Sequence, residues 1–119
     1  MAEINLGVCL EGIRRAIVYG ERLLEYKRHP RKVGKGIGRT SAEGYLKALK
    51  AIADNCPISE TLRETLIEKY ENYKDSPWES FVEFGIFPDE VFRYPVNALW
   101  DMEKYYGFRQ EDYEKYIPR

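Results

Sequence analysis

Apolar positions along this chain recur at helical rather than strand spacing. Leu6, Cys9, Leu10, Ile13, Ala16, Ile17, Leu23 and Leu24 follow three- and four-residue steps, which predicts a first helix over residues 3–27. Ile4, Leu6, Val8 and Leu10 also alternate, which leaves a short first strand open at that end. Gly12, Ala16 and Gly20 stand four apart and make a stripe of small residues. Glycine costs up to ~1 kcal/mol relative to alanine inside a helix, so the stripe asks for a packing reason: a second helix pressed close against it. Arg14 and Arg15 lie off the stripe and face water or a partner. Pro30 ends this helix, because the residue before a proline is pushed out of the α region.

A second helix is predicted over residues 41–55, with Tyr45, Ala48, Leu49, Ile52 and Cys56 on its apolar face and Lys47 and Lys50 outward. Pro57 breaks it. A third, over 59–74, carries Leu62, Leu66, Tyr70 and Tyr73 on one side. Ser76-Pro77-Trp78-Glu79 joins a cap, a first-turn proline and a glutamate three residues on. It predicts a short fourth helix bearing Trp78, Phe81 and Val82 and stopping at Gly85. Residues 86–94 read as a turn or short helix between Pro88 and Pro95. A fifth helix over 95–106 buries Val96, Leu99, Met102 and Tyr106 and ends at Gly107, and a last short one covers 109–116. The fold class is all-α: a small irregular bundle of five or six helices, one domain over residues 1–119.

Composition adds two points to that picture. At 119 residues the chain has one-domain length and needs neither metal nor disulfide to bury a core. A net charge of −1 argues against a general nucleic-acid coat protein, but the average hides an asymmetry. Residues 1–60 carry 11 basic and 7 acidic side chains, and residues 61–119 carry 8 basic and 13 acidic. Cys9 and Cys56 belong to no CxxC and no Cys/His cluster, so no zinc site is indicated. The expectation is two small buried thiols in a reducing compartment rather than a disulfide. The N-terminus shows no basic region followed by an apolar run, and no stretch has the ~20 apolar residues of a membrane span. The expected location is the cytoplasm.

The stretch KRHPRKVGKGIGRTS, residues 27–41, concentrates the candidate chemistry. It holds Lys27, Arg28, Arg31, Lys32, Lys35 and Arg39, the only histidine, His29, and glycines at 34, 36 and 38. It reads as a basic glycine-rich loop between the first two helices. Thr40-Ser41-Ala42-Glu43 reads as a capping box, so the loop opens onto a helix start. Exposed N–H groups, a helix dipole and cations together suit an anion, above all a phosphate. The candidate ligand-binding residues are Arg28, Arg31, Lys32, Lys35, Gly36, Gly38, Arg39, Thr40 and Ser41. The stretch is not a Walker A loop, since the first motif glycine would fall at Val33 and arginine would replace the lysine.

Glu60, Glu64, Glu68, Glu71 and Asp75 stay within an arc of about 80° on a helix. Like charges so spaced repel, which predicts something positive alongside. All-α nucleotide pyrophosphohydrolases hold Mg²⁺ with paired helical carboxylates; Glu68-x-x-Glu71 would be one pair, and Glu111-x-x-Glu114 is a weak second. Fourteen of the seventeen aromatic residues fall after residue 60, more than a small core hides, and some are expected at a protein-binding surface.

No catalytic residue, metal ligand or cofactor is assigned. The leading reading is a non-enzymatic protein that binds or sequesters a nucleotide, cyclic nucleotide or nucleic-acid backbone through the basic stretch. The alternative is a protein–protein adaptor or inhibitor using the acidic face and the aromatic surface. A Mg²⁺-dependent nucleotide hydrolase ranks third. The charge asymmetry and the small-residue stripe also suit a homo-oligomer.

Overall fold

In the computed structural model, residues 4–79, 88–109 and 111 are described, and no strand occurs among them. Five helices follow one another: α1 (Leu6–Arg28), α2 (Pro30–Val33), α3 (Lys35–Asn55), α4 (Glu60–Tyr73) and α5 (Pro88–Tyr106). Residues 77–79 are helical too, in keeping with the start expected at Ser76-Pro77. Phe81, Val82 and Gly85 of that predicted helix lie outside the described residues, as does most of the predicted helix 109–116.

Helix α1 begins at Asn5, whose side chain accepts from the Val8 N–H at 3.1 Å, supplying one of the missing first-turn partners. Lys27 and Arg28 close its last turn, where cations suit the negative end of the dipole. No strand forms at its start; the Asn5 N–H instead donates to the Asn55 carbonyl at 3.1 Å, pinning the beginning of α1 to the end of α3. The two helices run antiparallel, and the small-residue stripe lets α3 and α5 lie close to α1. A Cβ on Gly12 would sit 3.3 Å from the Ala51 Cβ, and one on Gly20 would sit 2.3 Å from Val91 Cγ1 of α5. Tyr19 in turn lays its ring over Gly44 of α3.

Three expectations are corrected. The second helix starts at Lys35, not Ser41. Gly34 turns the chain at φ 87°, which glycine adopts without steric cost, and Gly36, Gly38, Thr40 and Ser41 become helical. Their poor propensity is offset by packing: Gly38 takes the Trp78 ring, to which a Cβ would come within 2.7 Å. The fifth helix starts at Pro88 and carries Pro95 inside it. Proline removes an N–H from the ladder, and the carbonyl thereby orphaned, that of Val91, accepts instead from the buried Tyr45 hydroxyl at 2.7 Å.

The third correction concerns the cysteines. Cys9 and Cys56 form a disulfide, with Cα atoms 4.9 Å apart across 47 residues of sequence. Antiparallel packing brings the start of α1 to the residue that follows α3, so two distant cysteines meet. Met102 Sδ lies 3.8 Å from Cys9 Sγ, and all three residues are fully buried. Disulfides persist in oxidising surroundings, so the expectation of two free thiols in a reducing compartment does not hold.

Helix α4 packs through Leu66, fully buried. Its cap, Ser59, accepts from the Leu62 N–H at 3.2 Å and donates its own N–H and hydroxyl to the Asp101 carboxylate at 3.1 and 2.7 Å. Arg63 reaches back to the carbonyls of Ala53 and Cys56, satisfying acceptors that the end of α3 leaves open. Gly107 at φ 73° stops α5 as a left-handed glycine commonly does, and the Phe108 N–H returns to the Met102 carbonyl at 3.2 Å. Ile13, Tyr45, Leu49, Ile52, Leu66 and Met102 lie in one core cluster. No helix among the described residues is long and apolar enough to cross a membrane.

Candidate functional site

The last turn of α1, all of α2 and the first turns of α3 carry a sequence-continuous run of basic residues. Between Glu25 and Glu43 the chain has no acidic residue. Lys27, Arg28, Arg31, Lys32 and Arg39 are all exposed. The seven ion pairs among the described residues each span four residues of sequence or fewer: Arg14 and Arg15 with Glu11, Lys50 with Asp54, Arg63 with Glu60, Lys74 with Glu71, Arg93 with Glu90, Arg109 with Glu111. Charge is thus neutralised locally, and a segment without local carboxylates keeps its cations open to solvent.

Aromatic packing holds this segment in place. Trp78 sits over Gly38, and Tyr26 meets Trp78 edge-on, ring centroids 4.9 Å apart. The last turn of α1 and the second turn of α3 are thereby fixed against the segment that follows α4. His29 ends α1 and donates its backbone N–H to Glu25 at 2.8 Å. Gly34 supplies no side-chain cap to α3. The Gly38 N–H bonds the Gly34 carbonyl at 3.2 Å, so the N–H groups of residues 35–37 precede the helical ladder and lack acceptors within it. A Cβ on Gly34 or Gly36 would meet nothing within 4 Å.

The nine predicted site residues therefore divide. Arg28, Arg31, Lys32, Gly36 and Arg39 are exposed on the basic surface, and Lys35 opens α3. Gly38 and Ser41 are buried rather than exposed with the cations. Gly38 is a slot for Trp78, and Ser41 is buried with its hydroxyl unpartnered among the described residues. Thr40 is exposed, but its hydroxyl donates back to the Gly36 carbonyl at 3.0 Å. The expected capping box at 40–43 is an interior stretch of α3, and the helix start lies six residues earlier, with Gly34 rather than Thr40 as its cap.

Two of the five side chains of the acidic row, Glu60 and Glu71, meet a positive partner within the same helical segment. Arg63 bonds Glu60 at 3.3 Å and Lys74 bonds Glu71 at 2.7 Å. Among the described residues no three His, Cys, Asp or Glu side chains gather as a metal site would require. Of the aromatic half, Tyr94 is buried, whereas Trp100, Tyr105 and Tyr106 of α5 are more than half exposed.

Sequence reasoning did not find two depressions. A groove of about 600 Å³ runs between α1 and α3, floored by Gly7, Gly12, Gly44 and Ala48 and edged by Arg15 and Lys47. Its Glu11 carboxyl is held down to about 2, first by the hydrogen bond from Arg14. A shallower hollow of about 390 Å³ lies between α4 and α5, beside Thr65, Arg93, Asn97 and Trp100. The repeated small residues of α1 were the only sequence signal for the first.

Comparison with protein-family models, curated proteins and solved structures finds no match to this chain.

Proposed function

We propose that this protein is a non-enzymatic binding protein that holds a phosphate-bearing ligand on the basic surface of α1, α2 and α3. The observation that carries this reading is the run from Glu25 to Glu43 without a carboxylate, with five exposed cations and no ion pair to them among the described residues. Arginine offers phosphate a bidentate fork and lysine a mobile point charge. The positive end of the 21-residue helix α3 adds to the attraction. Calorimetric titration with inorganic phosphate, mononucleotides and oligonucleotides tests it. Binding that is lost in the Arg31→Ala/Lys35→Ala/Arg39→Ala protein supports the reading; equal binding by both proteins ends it.

A second reading, a protein–protein adaptor or inhibitor, draws on Trp100, Tyr105 and Tyr106, exposed at 64, 57 and 51%. Exposed aromatics of this kind commonly anchor interfaces. Native mass spectrometry of the purified protein reads retained partners, ligand and oligomeric state together.

A further inference from the structure

We infer that the ligand of the basic surface is the sugar–phosphate backbone of a nucleic acid, engaged without regard to sequence. This inference rests on the phosphate-binding reading above and narrows it. Among the described residues the cations line neither depression: Lys27, Arg28, Arg31, Lys32 and Arg39 are absent from both the α1–α3 groove and the α4–α5 hollow. A mononucleotide is held by a concave site that buries most of its surface. Exposed cations outside both described depressions offer charge, and charge alone gains affinity from a polymer, by displacing condensed counterions at several phosphates together. Contacts of this kind position a backbone but do not read bases.

Other polyanions fit less well. Stable attachment to an anionic membrane needs apolar burial as well as charge. Among the described side chains of this segment, Ile37 is the one large apolar group that is exposed. The net charge of −1 is no obstacle, because phosphates sense the local cluster within about 10 Å at moderate salt.

The test is fluorescence anisotropy with a short labelled DNA oligonucleotide, single-stranded and duplex, in two unrelated sequences. Binding should be equal for both sequences and should exceed binding of a mononucleotide. It should fall roughly 10²-fold between about 50 and about 200 mM salt, as four or five phosphate contacts require. Arg31→Ala/Lys32→Ala/Arg39→Ala should abolish it and flatten the salt dependence, whereas Lys47→Ala/Lys104→Ala, away from the surface, should leave it unchanged. All of these side chains are exposed, and circular dichroism confirms that each variant is folded. Mononucleotides binding as tightly as oligonucleotides would overturn the polymer inference while leaving the phosphate reading intact. So would tighter binding of anionic vesicles or polyglutamate, or equal loss in the Lys47/Lys104 variant. No binding of phosphate, nucleotide or oligonucleotide would remove both.

Discussion

The Tyr45 hydroxyl donates to the Val91 carbonyl at 2.7 Å, the acceptor that Pro95 leaves without its helical donor. Tyr45 is fully buried, and burial pushes its phenol well above the ordinary tyrosine range, so it stays a donor at any working pH. A long-range side-chain bond thus repairs a local backbone defect and joins α3 to α5.

Tyr45→Phe should destabilise the fold by about 1–3 kcal/mol, the usual cost of a buried acceptor left without a partner. Pro95→Ala restores a backbone N–H that can reach Val91, so the Tyr45→Phe cost should shrink in that background. Urea unfolding of the two single variants and the double variant measures the coupling. Additive losses would mean the two residues act independently.

Glycines that look alike in sequence should respond in opposite directions. At Gly20 a methyl group would collide with Val91 at 2.3 Å, and Gly20→Ala should destabilise by about 1–3 kcal/mol from overpacking. At Gly36 the space is open, and Gly36→Ala should stabilise by up to about 1 kcal/mol through helix propensity. Thermal melts of the two proteins should move to opposite sides of the parent.

Removing the Cys9–Cys56 bond should cost much of the fold's stability. Chain-entropy treatment of a loop of this length assigns about 4 kcal/mol, set by the separation of 47 residues. Cys9→Ala/Cys56→Ala should lower the urea midpoint accordingly. A free-thiol assay on the unfolded parent should find none before reduction and two afterwards.

Acid should weaken the α1 surface through Glu11. Its folded value of about 2 lies below the ordinary carboxylate value of 4.5 because Arg14 and Arg15 bond the carboxylate. A depressed carboxylate stabilises the fold above the unfolded value, and that contribution is lost as pH falls from 4.5 towards 2. The side chain is 40% exposed, so solvent screens the pair and the effect is modest. Glu11→Gln should flatten the stability–pH profile in that window and leave it unchanged near neutrality.

The helical periodicity made most of the bundle legible: α1 and α4 lie within a few residues of their expected ends, and the Gly12–Ala16–Gly20 stripe does mark close helix packing. Other boundaries were misread for a shared reason. Glycines at 36 and 38 and proline at 95 carry poor helix propensity, and local rules place breaks there. Trp78 over Gly38 and Tyr45 at Val91 supply what the local chain lacks, and both come from residues distant in sequence. The candidate site was legible as a cluster of charge, because its lack of carboxylates is a property of composition. Which of its members face solvent was not, since Gly38 and Ser41 became buried once α3 extended through them.

Local sequence alone determined the helical class, the cationic run between Glu25 and Glu43, and the caps at Ser59 and Gly107, because each depends on residues within a few positions of one another. Only the tertiary structure decided that Cys9 meets Cys56 and that Tyr45 rescues Val91. Those outcomes turn on which helix faces meet across the antiparallel packing of α1 with α3 and α5, and no local spacing encodes that meeting.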